Sequence, residues 1–386
     1  MAYTCTLYNS ILEVDQALWN QFRRGDADPF MDPHFIRAVE VSMADSGRFW
    51  HAVFHDPDGR PMGCACICLY RVDASLLADG FAKTVANAFK RVVPWLLHFN
   101  VLFCGLPISA GQSSLRLAPD CDANALAQAL DAQLNQLARA NRAKCIVLKE
   151  YTAEECARLP ALADLGYLRA DSLPMNHAQP GYRDFEHFCS SQKSRKRHPI
   201  RTSQKKFDKS GLRVVQLTGR GGADAIYTDE VHRLYENVLD RAKVKLEKIP
   251  AEFFRELARQ LPDESAFTFI YQGERVVAFA ASLFTKAVYH QMFVGVDYSL
   301  NSDYDLYFNL FFHAVDYGFR QNVADIYVGQ SADTFKQRKL GCYPVPLYFY
   351  VKGCDALTTL VIRKGFHLLF PPRMAIGDAS DASDAT

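Results

Sequence analysis

The sequence predicts a layered α/β protein made of two similar halves, each a mixed, mainly antiparallel sheet flanked by helices. Three observations carry this. The second half orders its elements β-α-α-β-β-β-α-β-α-β. The first half repeats that order in pattern but not in residue identity. The composition of the 386 residues, 49% hydrophobic and 23% charged, is that of a globular chain long enough for more than one core. Disorder, collagen and coiled coil are excluded for its bulk.

In the first half, Thr6–Ile11 reads as a strand, and Gln16–Phe22 and His34–Val41 as helices. Phe49–His55 and Met62–Val72 read as strands joined across the turn-forming Asp56-Pro57-Asp58-Gly59-Arg60. Cys64, Cys66 and Cys68 alternate on one side of the second of these, which fits a packed core strand and not a zinc knuckle. Val101–Gly105 is a strand, Ala123–Ala140 a helix and Lys144–Glu150 a strand. Glu154–Leu165 is a helix ending at Gly166.

The second half opens with the β-prone Leu212–Leu217. Ala225–Arg241 has an apolar stripe at helical spacing, and Pro250 starts a helix reaching Leu261. Ala266–Tyr271 and Val276–Phe284 flank a hairpin turn at Gln272-Gly273-Glu274-Arg275, and Ala287–Val296 is a third strand. Tyr304–Phe319 is a helix apolar on nearly every face, so it is expected to be buried. Asp325–Val328 is a short strand. A polar stretch with Lys336, Arg338 and Gly341 follows, and Pro346–Val351 is the last strand.

Gln179-Pro180-Gly181 is the expected boundary, giving domains at 1–180 and 181–370. Two segments lie outside the repeat. Asp73–Asn100 is inserted into the first half. Within it Phe81, Val85, Phe89, Val92 and Leu96 form an amphipathic stripe beside Lys83, Lys90 and Arg91. That stripe over residues 81–97 either packs on its own domain or makes a peripheral membrane contact. Ser190–Ser210 lies between the halves. The tail 377–386 is small, acidic and repetitive, and is expected to be disordered.

Lys+Arg is 44 against Asp+Glu 43, so no global field draws the chain to nucleic acid, and no DNA partner is expected. Eleven cysteines and no secretory signal at the N-terminus point to reduced thiols and a cytoplasmic setting. No stretch of 18 apolar residues is present. The G-x-S-x-G elbow, the G-x-x-x-x-G-K-[ST] phosphate loop, G-x-G-x-x-G and H-E-x-x-H are all missing, and no metal site is expected.

The order of elements, with Gly105–Ser113 (GLPISAGQS), Ser194–Lys206 (SRKRHPIRTSQKK) and Gly329-Gln330-Ser331 through Lys336 and Gly341, resembles the GNAT acyltransferase fold in tandem. The pairing of two halves around a basic helix is similar to the FemAB-like acyltransferases. The resemblance spans about residues 5–355. It implies an N-acyltransferase in which an amine attacks a thioester or aminoacyl ester directly. It also implies chemistry in the second half, a degenerate first half, acyl-CoA as co-substrate or aminoacyl-tRNA in its place, and a small-molecule or cell-wall-precursor amine as acceptor. A non-catalytic binding module of the same fold is the other reading. One place departs from the CoA-using pattern. Where a glycine-rich diphosphate loop is expected, the second half has Asp297-Tyr-Ser-Leu-Asn-Ser-Asp-Tyr-Asp305, with no glycine and three carboxylates.

The resemblance makes Ala287–Val296 the wall of the acyl cleft. Tyr289 and His290 become the candidate catalytic acid and base, and Gln291 a substrate contact. Tyr307, Gln330, Ser331, Lys336 and Arg338 are the other candidate substrate residues. Lys336 and Arg338 are the expected partners of an acceptor carboxylate. Arg195, Lys196, Arg197 and Arg201, on a basic helix expected over 193–209, are the candidate anion or donor site. Asp303 and Asp305 read as caps of the helix at Tyr304.

Overall fold

The structure is a computed structural model that describes residues 3–73, 98–108, 111–242, 248–331 and 333–372. The expected amphipathic helix over 81–97 and the expected disordered tail over 377–386 lie outside the described residues.

The first half runs β1 (Thr4–Tyr8), α1 (Gln16–Asn20), α2 (Pro33–Met43), β2 (Gly47–His55), β3 (Pro61–Asp73), β4 (His98–Cys104) and β5 (Leu115–Leu117). It continues with α3 (Ala123–Ala140), β6 (Cys145–Tyr151), α4 (Ala153–Ala157), α5 (Ala161–Asp164), β7 (Leu168–Asp171) and β8 (Met175–Ala178). Then come α6 (Phe185–Ser191) and the basic helix α7 (Ser194–Asp208). The second half follows as β9 (Arg213–Thr218), α8 (Ala223–Ile226), α9 (Asp229–Arg241), α10 (Ala251–Gln260), β10 (Ser265–Gln272), β11 (Arg275–Phe284) and β12 (Val288–Val296). It ends with α11 (Asn301–Tyr304), α12 (Leu306–Arg320), β13 (Asp325–Tyr327), α13 (Asp333–Leu340), β14 (Tyr343–Val345), β15 (Tyr348–Gly353) and α14 (Ala356–Leu369).

Local chemistry explains most boundaries. The side chains of Asp15, Asp32, Asp122, Asp184, Thr228 and Asp355 accept N–H bonds at the starts of α1, α2, α3, α6, α9 and α14. The expected helix Glu154–Leu165 is two, because Pro160 has no N–H to continue the first. Thr228 likewise starts a new helix inside the expected Ala225–Arg241. The basic helix spans Ser194–Asp208, and Pro199 sits inside it. The polar stretch after β13 is helix α13.

The sheets are mixed and mainly antiparallel, as predicted. The first has the order β1-β2-β3-β4-β6-β15-β7, with β5 paired to β3; the second has β14-β8-β13-β12-β11-β10-β9. Each contains one parallel junction, β4 with β6 and β12 with β13.

The sequence reading placed the last strand, Pro346–Val351, in the second half's sheet. The structure corrects this: β15 lies between β6 and β7 of the first sheet. Reciprocally, β8 follows the first half but lies between β13 and β14 of the second sheet. Sheet membership therefore does not follow a division at residue 180. The two crossing links touch, since Ser172 N–H donates to the Leu347 carbonyl at 2.8 Å.

A shared core fills the space between the sheets. Phe35, Ile36 and Val39 of α2 cluster with Phe253, Phe254 and Leu257 of α10, with Cys64, Cys66 and Cys68 of β3 on one side and Phe267, Phe269 and Phe279 on the other. The alternating cysteines are thus core residues. The outer face of the first sheet carries α3 through Leu126, Leu130 and Leu134. The outer face of the second carries α12 through Leu310, Phe311, Phe312 and Val315.

Strand exchange predicts joint unfolding of the halves. All three tryptophans are in the first half, so their fluorescence reports that half, while far-ultraviolet circular dichroism reports both. Val351→Asp buries a carboxylate in β15 and is expected to destabilise by about 3 kcal/mol or more. Both signals should shift to lower denaturant together; two separated transitions would show independent halves.

Candidate functional site

In the second sheet β12 and β13 pair in parallel only over Val288–His290 and Asp325–Tyr327. Beyond that point β13 ends while β12 runs on to Val296 paired with β11, which leaves a notch beside β12 at the carboxyl end of β13. The loop leaving β13 forms one wall. The exchanged strand β8 holds it: Val328 N–H donates to the Asn176 carbonyl at 2.8 Å, and Asn176 donates to the Gly329 carbonyl from its backbone N at 3.1 Å and its Nδ2 at 3.0 Å. Gly329 has φ +83°, a conformation costly for any side chain. A Cβ there would stand 3.3 Å from the Lys336 Nζ and 3.5 Å from the Gln291 carbonyl oxygen. The buried Lys336 amine therefore reaches back from α13 to the notch.

Of the predicted substrate residues, Gln330 donates from Nε2 to the Leu173 carbonyl at 3.1 Å, which anchors the notch loop to the crossing link. Ser331 is exposed beside it. Tyr307 rests against Phe311 at 5.0 Å and Phe335 at 5.7 Å, and the Lys336 Nζ lies 5.8 Å from the Phe311 ring centre. Tyr307 and Lys336 thus share one aromatic wall. Arg338 does not join them. It lies two residues from Lys336 on a helix, hence on another face, and it is exposed. Lys336 and Arg338 cannot grip one carboxylate together, contrary to the expectation drawn from a loop.

Tyr289 and Gln291 share a face of β12, as alternation requires, but that face is closed by α12. The Tyr289 hydroxyl bonds Ser282 Oγ at 2.7 Å and donates to the Ala314 carbonyl at 2.7 Å. Gln291 Oε1 lies 3.1 Å from the same hydroxyl, and its Nε2 donates to the Ala281 and Phe293 carbonyls. Burial pushes the Tyr289 phenol up. This is a satisfied core network, not the open cleft wall that was expected.

His290 points the opposite way, into the space between the halves. Its ring stacks on Tyr327 at 4.1 Å and meets the edge of Phe30 at 4.8 Å. Tyr327 in turn contacts His177, and His177 contacts Tyr343. The rings form a ladder across β12, β13, β8 and β14. Neither ring nitrogen of His290 has a hydrogen-bond partner. Burial, and then the nearby His177, push its value down to about 3. His177 is also lowered, by its own burial. A neutral, enclosed His290 is poorly placed to take a proton from a bound amine.

The basic helix α7 is set by what its buried side touches. Ile200, Ser203 and Phe207 face inward. Ser203 Oγ donates to Asp305 Oδ2 at 2.6 Å, and Lys206 Nζ lies 3.2 Å from Asp305 Oδ1. Asn309 Nδ2 donates to the Ser203, Tyr304 and Asp305 carbonyls. Asp305 has φ +48° and its side chain does not cap α12. Asn301 Oδ1 accepts from the Tyr307 N–H instead. The expected capping role of Asp305 is thus replaced by a tether to α7. Its carboxylate and α7 occupy the approach to the N-terminus of α12, the end where a helix would favour an anion.

On the outer side of α7, Arg195 and Lys196 are exposed. The Arg197 guanidinium reaches the Ser190 carbonyl at 3.4 Å. Arg201 is engaged by Glu186, whose carboxyl it holds below the usual range. The anion-binding candidates therefore divide into an outward set and a paired Arg201. The sequence reading missed Asn176, Gly329, Ser203 and Asn309. Gly329 was quoted, but only its φ reveals its role.

The matching place in the first half is filled by the chain itself. Leu106 and Ile108 are buried in the shared core. The Gly111 N–H donates to Glu150 Oε2 at 3.2 Å, and Lys149 Nζ donates to the Pro107 carbonyl at 3.1 Å. Nearby, Arg116 makes a buried two-pronged pair with Asp28, both contacts at 2.6 Å.

Two outcomes follow from the β12 geometry. Tyr289→Phe is expected to cost about 1 kcal/mol of stability with turnover essentially unchanged; a loss of about 10²-fold in turnover would restore it as a catalyst. His290 has a lowered value in the folded state, so above the ordinary value of 6.5 it contributes no pH dependence. As pH falls below 6.5, the unfolded chain takes up a proton that the native state refuses, and stability drops by up to about 1.4 kcal/mol per pH unit. His290→Phe should flatten that slope between pH 6.5 and 5 in denaturant titrations.

A family model for FemAB-like proteins, described as peptidoglycan biosynthesis/recognition, matches residues 10–349. No curated protein matches by sequence. Among similar solved structures is a tandem GNAT protein from the clavulanic acid biosynthesis pathway, at 12% identity and TM-score 0.53, covering 92% of this chain and 99% of that one. FemX aligns at 12% identity and TM-score 0.51, covering 91% and 97%. The C-terminal domain of a protein assigned as a lysylphosphatidylglycerol synthetase from Agrobacterium fabrum aligns at 12% identity and TM-score 0.51, covering 95% and 100%. At such identities these likenesses establish the fold. With the family match over nearly the whole length, they show that the chain belongs to the FemAB-like family of acyltransferases with a tandem GNAT fold.

Proposed function

We propose that the chain transfers an aminoacyl group from an aminoacyl-tRNA type of ester to the amine of a cell-wall precursor, with the notch at β12 and β13 as the reaction centre. The observation that carries this reading is the closed N-terminus of α12. A CoA diphosphate would meet the Asp305 carboxylate and α7 there. In the first-half loop the Gly111 N–H is already given to Glu150. A polynucleotide donor has no need of that cradle, because its phosphates can meet the exposed Arg195 and Lys196 and the half-buried Arg197 around the first turn of α7. The family description, peptidoglycan biosynthesis/recognition, supports the acceptor class.

The chemistry needs no covalent enzyme intermediate. The acceptor amine attacks the ester carbonyl, a C–N bond forms, the ester C–O bond breaks, and the amine's proton leaves with the freed hydroxyl. Negative charge develops on the carbonyl oxygen, and the Lys336 ammonium at the notch is the group suited to stabilise it. Tyr307 and the aromatic wall exclude water from that charge. Gln330 positions the loop from the far side. Tyr289 and His290 are left out of the reaction, because one is hydrogen-bonded within the core and the other is enclosed and neutral.

Purified protein given acyl-CoAs or aminoacyl-tRNAs with an amine-bearing precursor separates the donors. Amide formation from aminoacyl-tRNA, with no thiol release from acyl-CoA, is the expected result; thiol release would establish CoA instead. Lys336→Met should lower kcat by about 10²-fold or more. A rise in acceptor KM alone would assign Lys336 to acceptor binding. Replacing Arg195, Lys196 and Arg197 by Ala should raise the donor KM and flatten its dependence on salt. An unchanged salt slope would mark the cluster as a solvated face.

A further inference from the structure

The exposed large apolar side chains are unevenly distributed. Five of them, Leu357, Leu360, Val361, Leu368 and Leu369, lie on α14. This helix turns Ile362, Phe366 and Phe370 inward against the first sheet, where they meet Val101, Val351 and Phe349. The opposite side has Leu357, Leu360, Val361, Lys364 and Leu368 at i, i+3, i+4, i+7 and i+11, a single stripe on a helix. Leu357 is 71% and Leu368 78% exposed. An inward face that is already packed does not explain a second apolar face.

We propose that α14 is a membrane-surface helix that seats this stripe in an anionic lipid headgroup layer. Charge selects that occupant. From Ala356 to Leu369 the helix has no Asp or Glu, and it exposes Arg363, Lys364 and His367 beside the leucines. Lys364 stands within the stripe itself. A two-fold contact with a second copy would set this stripe against itself, with cations and no carboxylate on either helix. Lipid phosphates complement both lysine and arginine, and a lysine within an apolar stripe can extend its amine to the headgroups. Among the described residues no helix is long and apolar enough to cross a membrane, so this contact is interfacial. The chain also leaves β3 and re-enters β4 next to α14, where Val72 and Phe99 pack in the same cluster as Phe366 and Phe370. This surface stands apart from the transfer chemistry and does not rest on it.

Co-sedimentation of the full chain with phosphatidylglycerol-containing vesicles, and with pure phosphatidylcholine vesicles, tests the assignment without any activity measurement. Wild type is expected to pellet with the anionic vesicles and to dissociate as salt rises. Leu360→Glu with Leu368→Glu changes only exposed positions, so the melting temperature should hold while vesicle binding falls about tenfold or more. Arg363→Gln with Lys364→Gln should remove the preference for anionic lipid. The proposal is overturned if wild type stays in the supernatant, or if the glutamate variant pellets equally well. A wild-type dimer that the glutamate variant converts to monomer, with no vesicle binding, would assign the face to a second copy.

Discussion

The reciprocal exchange of β8 and β15 is the constraint on which the rest of the structure depends. Each strand has neighbours on both edges in a sheet belonging to the other half. Its backbone N–H and C=O groups are satisfied there, and withdrawing it would strand those of its neighbours as well. The links that carry the chain across are short, residues 172–174 and 346–347, and they bond to each other. The sheets are thereby fixed in relation to one another before any side chain is considered. The shared core of α2 and α10 then fills the gap they leave.

The exchange also shapes the notch. The loop after β13 is held by Asn176 of β8 and by the Leu173 carbonyl in the crossing link, both from chain that precedes the boundary read from sequence. Without them Gly329 and Lys336 would hang from one end of a three-residue strand. The Lys336 amine is buried and reaches that loop from α13. In the first half β4 stops with its pairing while β6 runs on, and Leu106 and Ile108, which follow β4, are buried in the core. One architecture thus yields a notch in one half and packed core in the other. The difference is where a single loop goes after its strand.

Electrostatics reinforces the asymmetry between the halves. The helix end most suited to an anion is occupied by Asp305, and Ser203 and Lys206 bind that carboxylate in place of a ligand. The basic charge of α7 is partly paired, with Asp305 on its inner side and Glu186 on its outer side, and is otherwise displayed outward. Exposed cations of this kind act through counterion release over a wide surface, whereas a diphosphate cradle depends on fixed N–H directions.

Much of the fold was legible in the sequence because its signals are local. Apolar periodicity marked α2, α3, α9, α10 and α12, turn residues marked the two hairpins, and capping groups sit at the helix starts, so the order of elements and the fold class were readable. Strand partnership was not: residues 175–178 (Met-Asn-His-Ala) lack an apolar run and were not read as a strand, and 348–353 look the same whichever sheet they join; their place is decided by which edges remain unpaired once both sheets assemble. Helix α14 was not marked in the sequence reading, and only packing shows which of its two apolar faces is left over. For the site, residue type pointed to Lys336, Tyr307 and Gln330; the structure places Gln330 on the loop after β13, the Lys336 amine near Gly329 of that loop, and Tyr307 against the same aromatic ring as Lys336. It equally pointed to Tyr289, His290 and Arg338, which the structure places elsewhere. Alternation tells that two side chains share a face, but not whether a helix closes that face, and a loop reading cannot foresee that a helix will turn Arg338 away from Lys336. The sequence by itself determined the elements and the chemical groups available. The tertiary structure decided which groups meet, because burial, strand exchange and the direction of a side chain arise only from contacts between residues far apart in the chain.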